Sequence, residues 1–195
     1  MTLDDIQRNI DPALWLGRLE HVFFDMDKAY DRVAAAYGFQ CRGCVDNCCY
    51  TRFYHHTLVE YLYLKKGIDE LEPKRREEIT LSARDVVEKT ADADRQGLTP
   101  RIMCPLNRGG LCLIYSYRPM VCRLHGLEHE LRKPGQNPVR SSGCDLFAEM
   151  TRTMDYISFD RTPFYKEMAA LEGAVRQATG FMGKMRHTIA EMVLL

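Results

Sequence analysis

A mainly α fold, with helices packed around irregular, metal-tied cysteine loops and at most minor β structure, is the expectation for this chain, and three observations carry it. Apolar residues recur every three or four positions in long stretches at both ends, proline and glycine interrupt the middle, and no run alternates apolar and polar residues well enough to demand a sheet. At 195 residues, 46% apolar and 28% charged, the chain has the make-up of one globular domain. The expected organisation is a single domain over 1–195, with a cysteine-bearing core over about 38–148 between helical N- and C-terminal flanks.

Asp11-Pro12 predicts a helix start, with an N-capping carboxylate and then proline at the first helical position. Leu16, Leu19, Phe23, Met26, Tyr30, Val33 and Tyr37 then keep helical period up to Gly38. Thr57 followed three residues later by Glu60 matches a capping box opening a second helix, with Leu58, Tyr61 and Leu62 inward and Lys65-Lys66-Gly67 closing it. Pro73 begins a third, whose thin apolar stripe of Ile79, Ala83, Val86, Val87 and Thr90 ends before Gly97. From Leu98 to Ser142, Pro100, Pro105, Gly109-Gly110, Pro119, Pro134-Gly135 and Pro138 leave only loops and short elements, with Phe39-Gln40 and Leu111 to Tyr115 as the candidate strands. Thr162-Pro163 starts the last helical region, with Phe164, Met168, Leu171 and Val175 inward, and Met185, Ile189 and Met192 continuing the period beyond Gly180.

Lysine plus arginine equals aspartate plus glutamate at 27 each, so there is no electrostatic reason to expect nucleic acid as a partner. The N-terminus has no basic segment followed by an apolar one, and no stretch reaches the ~18 apolar residues of a membrane span. A soluble, cytoplasmic protein is expected. In that compartment thiols stay reduced, so eight cysteines point to metal binding or thiol chemistry rather than to a disulfide framework.

The cysteines fall into two groups. Cys41, Cys44, Cys48 and Cys49 form a C-x2-C-x3-C-C cluster just after the first helix, and Cys104, Cys112, Cys122 and Cys144 are dispersed at intervals of seven, nine and twenty-one residues. Two cysteines with two residues between them can turn both sulfurs to one ion across a tight loop, and Gly43 removes the side chain that would obstruct the bend. Thiolates are soft ligands that suit zinc and iron–sulfur clusters, not magnesium or calcium. Cys48-Cys49 argues against a lone tetrahedral ion, because adjacent side chains diverge. Burial alone does not explain four thiols within nine residues. The spacing differs from the ferredoxin run C-x2-C-x2-C-x3-C, and the order of intervals is the reverse of the C-x3-C-x2-C run of radical chemistry.

Taken together, Cys41-x2-Cys44-x3-Cys48-Cys49, Cys104-Pro105-Leu106, Gly110-Leu111-Cys112-Leu113-Ile114-Tyr115-x2-Arg118-Pro119-x2-Cys122-Arg123 and Cys144 resemble the cysteine-cluster proteins described as a zinc- or iron-chelating domain. The likeness covers roughly Cys41 to Cys144. It implies cysteine-based metal binding in bacteria, with a related domain in a flagellin lysine N-methylase thought to carry an iron–sulfur cluster. The flanks lie outside it and are where a protein partner would dock.

Arg118 and Arg123 place guanidinium groups beside thiols, where a cation lowers a thiol pKa and offsets thiolate charge; surface ion pairing is the alternative for either. His125 could replace one thiol as ligand, and His55-His56 invite the same thought, although an ordinary polar or capping role is the default for each. Neither a nucleotide-binding loop nor the context of a nucleophile elbow around Ser141-Ser142-Gly143 is present. The expectation is an iron–sulfur or zinc centre, iron–sulfur favoured, tying Cys41–Cys49 to Cys104–Cys144. The alternatives are an enzyme using that centre for redox or methyl-transfer chemistry, and a structural zinc module serving protein contacts.

Overall fold

The computed structural model describes residues 3, 5, 6, 11–41, 48–133 and 135–195, with Cys48 described in its backbone alone. Cys44, the turn at Gly43 and Pro134 lie outside the described residues, as does the Cys48 side chain.

Helix α1, Ala13–Tyr37, begins one residue later than the proline signal predicts, because Asp11 Oδ1 accepts the Ala13 N–H at 2.9 Å and leaves Pro12 outside the first turn. It buries Leu16, Leu19, Phe23, Met26, Val33 and Tyr37, the predicted stripe, with Tyr30 half-buried. Gly38 ends it at φ 65°, a left-handed conformation that glycine adopts without a Cβ clash, and Phe39 N–H then reaches back to the Ala34 carbonyl at 2.8 Å. Phe39-Gln40 is not a strand.

Helix α2, Leu58–Asp69, is capped as expected by the Thr57 hydroxyl on Glu60 N–H. Its other half is not a reciprocal box. The Glu60 carboxylate takes the Thr57 hydroxyl at 2.6 Å and the Met120 N–H at 2.8 Å, so a residue read as a cap joins α2 to the cysteine segment. Lys65-Lys66-Gly67 does not close the helix: Gly67 lies within it, and a Cβ there would come within 2.5 Å of the Tyr117 ring. The glycine marks a close approach rather than a stop. Helix α3, Pro73–Arg95, buries Ile79 and Ala83.

Between α3 and the last long helix the elements are short. Strands β1 (Asn107–Arg108) and β2 (Leu111–Cys112) form a hairpin, a 3-10 turn occurs at Tyr115–Tyr117 as another does at Cys48–Tyr50 ahead of α2, and α4 is Met120–Leu124. A second hairpin pairs β3 (His129–Leu131) with β4 (Val139–Ser141), and α5 is Asp145–Met150. Helix α6, Thr162–Thr179, buries Met168, Leu171 and Val175. The expected continuation does not occur, because Gly180 turns left-handed at φ 63°. Met185 is buried from a loop instead, and Thr188 with Glu191 makes a full capping box opening α7, Ile189–Leu194.

One apolar core runs through flanks and middle alike, joining Leu19, Phe23, Leu58, Leu64, Leu106, Leu124, Phe147 and Leu171. Helix α1 packs against α2, α4 and α6, and α3 packs against α7. Glu172 on α6 holds α2 in place by accepting the Leu58 and Val59 N–H groups at 2.9 and 3.2 Å, two of the donors a helix start leaves unpaired. Among the described residues, no helix is long and apolar enough to cross a membrane.

Candidate metal centre

Each cysteine is placed by its own piece of local structure. Cys49 lies in the 3-10 turn Cys48–Tyr50, and its carbonyl accepts the Cys104 N–H at 2.9 Å, which ties the two cysteine-bearing segments directly. Gly109 and Gly110, at φ 60° and 88°, form the two-residue turn of the β1–β2 hairpin, where positive φ at both positions favours glycine. The hairpin sets Cys112 opposite Asn107, whose N–H bonds the Cys104 carbonyl at 3.0 Å, so Cys104 and Cys112 come together. Helix α4 carries Cys122, and its Met120 N–H is anchored on the buried Glu60 carboxylate.

Cys41 and Cys144 line the cavity as well, and both act on Tyr30. Phe39 packs edge-on against Phe147 with ring centroids 5.2 Å apart, bringing the chain after α1 to the start of α5. Cys144 caps that helix, and its N–H bonds the Gly126 carbonyl at 2.8 Å. Gly143 allows this approach: a Cβ there would sit 2.0 Å from the Gly126 oxygen. Tyr30 lines the same cavity, with its pKa raised by burial first and then by charge on Cys41 and Cys144.

All six cysteines whose side chains are described, Cys41, Cys49, Cys104, Cys112, Cys122 and Cys144, line one open cavity of about 580 Å³. Cys41, Cys104, Cys112 and Cys122 carry free thiols. Among the described residues, no three His, Cys, Asp or Glu side chains converge on the geometry of a single metal ion. The thiols nevertheless act on one another. Burial pushes Cys104 up to about 12, with a smaller push from charge on Cys49 and Cys112, and the Leu106 N–H on its sulfur works the other way. Cys112 is raised by burial and by Cys49, against the Ile114 N–H and the Arg118 charge. Cys122 is raised well above the usual thiol value by burial, then by Cys104, Cys112, Cys49 and Glu60. Burial disfavours the thiolate at each of these positions, and a bound cation would stabilise the deprotonated forms.

Three sulfurs already receive backbone donors: Leu106 N–H on Cys104, Ile114 N–H on Cys112, and Phe147 N–H on Cys144 at 3.4 Å. Hydrogen bonds to sulfur favour thiolate and tune the potential of a thiolate-bound cluster. On chemistry the donor set suits zinc or iron–sulfur, with soft sulfur ligands and N–H groups on three of them, although among the described residues no three side chains converge on one ion.

The two arginines differ in what they touch. Arg118 stacks over Tyr115, its carbon 3.4 Å from the ring centroid, and its charge opposes, as the smallest cause, the rise of the Cys112 pKa. Arg123 is buried, bonded to Asp27 at 2.6 Å and to the Arg118 and Ser116 carbonyls, so it braces α4 against α1 and is spent in an ion pair. His125 lines the cavity edge-on to Phe53. His56 is exposed.

Sequence reasoning passed over three contributors. Tyr30 and Ile189 were read only as members of helical stripes, and Ala190 of α7, which no motif marks, lines the cavity beside Ile189. His55 was noticed and given a capping or surface role, but it is buried, is among the residues around the cavity and, among the described residues, has no hydrogen-bond partner on either ring nitrogen. Comparison of the chain with protein-family models, with curated proteins and with solved structures finds no match in any of the three.

Proposed function

We propose that this is a metal-binding protein whose cysteines hold an iron–sulfur or zinc centre, iron–sulfur favoured, within the cavity between the Cys41–Cys49 segment and the Cys104–Cys144 segment. One observation carries the reading: all six described cysteines, from segments more than fifty residues apart in the chain, line the same cavity. Cysteines buried merely as small hydrophobes have no reason to gather in this way. Cys49, Cys104, Cys112 and Cys122 are the natural ligand set for one centre, since each of the last three feels charge on Cys49. Cys41 and Cys144 form the start of a second set that Cys44 and Cys48 would complete. The resemblance to the zinc- or iron-chelating family belongs to the same proposal, as does a reducing, cytoplasmic setting for the thiols.

The cavity volume of about 580 Å³ is many times the ~30 Å³ share of one water. That room favours a polynuclear cluster over one ion, and it favours an enzyme with an open site over a closed structural zinc module. When bound, such a cluster would supply electron transfer. The protein would supply thiolate ligands, N–H donors to sulfur and a positive charge at Arg118.

Anaerobic purification followed by metal and sulfide analysis and an absorption spectrum tests the reading. Iron with matching sulfide and visible absorption that bleaches on reduction is expected, and Cys122→Ser should lose most of it. A colourless protein with stoichiometric zinc overturns the iron–sulfur preference. A metal-free preparation that keeps its fold and takes up neither metal overturns the proposal as a whole.

A further inference from the structure

The cavity has a second end, with walls that bear no cysteine. Along α3 the inward stripe is buried at Ile79 and Ala83, but further along the same face Val86 and Thr90 are only half-buried, and both line the cavity. Phe53, Ile102, Ile189 and Ala190 line it too, from the loop after Cys49, the chain before Cys104 and the start of α7. Contacts that involve no cysteine side chain bring these walls together. Helix α3 packs against α7, Arg52 grips Asp94 of α3 at 2.7 and 2.8 Å, and the backbone bridge between His55 and His187 ties the loop to the residues just before α7. The loop and the chain before Cys104 are joined by the bond from the Cys104 N–H to the Cys49 carbonyl.

The polar groups at this end are largely taken. Arg52 is paired with Asp94, and the Thr188 hydroxyl is held by Glu191 in the capping box. The Thr90 hydroxyl makes no hydrogen bond among the described residues. Against such walls an ion without a partner is costly to bury, whereas apolar surface gains by leaving water. Sites for small organic ligands have this make-up, apolar walls with a few polar groups in about 300–1,000 Å³. The whole cavity, at about 580 Å³, falls within that range.

We propose that the end of the cavity between α3, α7 and the loop after Cys49 binds a small, uncharged and mainly apolar organic molecule, with the Thr90 hydroxyl as its hydrogen-bonding partner. The inference goes beyond the metal-binding reading and does not rest on it. Where both hold, the molecule shares one cavity with the metal centre, the arrangement that an enzyme acting on it needs.

Fluorine NMR titration of the full chain as purified tests this, with para-fluorobenzyl alcohol as the probe and para-fluorobenzoate as its charged counterpart. The wild type should bind the alcohol, and the benzoate at least about tenfold more weakly. Val86→Trp, which fills the space, should weaken the alcohol at least about tenfold with metal content unchanged. Thr90→Val, which keeps the shape and removes the hydroxyl, should weaken it about fivefold. In metal-free or zinc-loaded wild type with labelled methyl groups, the alcohol should shift the Val86, Ile102 and Ile189 signals, a readout that stands even if Val86→Trp does not fold. A wild type that binds neither probe or prefers the benzoate overturns the proposal, as do shifted methyl groups that lie elsewhere or an affinity unchanged in a folded Val86→Trp. Alcohol binding at these methyl groups in a protein that takes up neither iron nor zinc supports the proposal and overturns the metal reading instead.

Discussion

Helix α1 buries Leu16, Leu19, Phe23 and Met26 along one continuous stripe, whereas the chain from Cys104 to Cys144 is carried by two-stranded hairpins and helices of five or six residues. In the first region backbone polar groups are satisfied within the helix and side chains make the packing. In the second, bonds are made singly and at long range: Cys104 to Cys49, Met120 to Glu60, Cys144 to Gly126. Regular helices tolerate the loss of any one such bond. The cysteine region leans more on each such bond, because its elements are short.

Three changes would break or sharpen this contrast. The largest effect is expected where the regions meet. Phe147 is 1% exposed and touches both Tyr37 at the end of α1 and Phe39 just beyond it, with centroids 5.0 and 5.2 Å away. Phe147→Ala should cost about 3–5 kcal/mol in urea unfolding. A loss under about 1 kcal/mol would mean that the two regions are not joined through this ring.

The next effect concerns pH. The folded pKa of His55 is depressed from its usual 6.5 to about 4, so protonation favours the unfolded chain. Its contribution is complete above pH 6.5 and is lost as pH falls through about 4. In metal-free protein, stability should therefore fall by roughly 3 kcal/mol over that window beyond what His55→Gln shows. Parallel pH profiles for the two proteins would refute it.

The smallest effect is expected on the surface. Arg52 makes a two-pronged bond to Asp94 at 2.7 and 2.8 Å, linking the segment after Cys49 to α3, but both groups meet solvent. Arg52→Ala should leave the thermal midpoint unchanged within error, since exposed pairs contribute little. A clear drop would show that the cysteine segment relies on this surface link.

The long helices were legible because a 3.6-residue period is written into neighbouring residues, as in α1 and α6. Gly67 and Gly180 show the limit of such reading. The same residue type lies inside α2 because Tyr117 needs the space, and ends α6 because the backbone turns left-handed there. Glu60 likewise carried a valid local signal, yet its carboxylate serves Met120, sixty residues away.

By itself the sequence determined the helical stripes, the broken middle and two groups of cysteines, all properties of residues near one another in the chain. Only the tertiary structure decided that Cys104, Cys112 and Cys122 feel charge on Cys49 while Tyr30 feels Cys41 and Cys144, and that the His125 ring packs on Phe53 while the His55 ring nitrogens find no hydrogen-bond partner among the described residues. The physical reason is that neighbours across fifty to a hundred residues are chosen by how α1, α4 and α5 pack, through contacts such as Phe39 on Phe147 that no local spacing encodes.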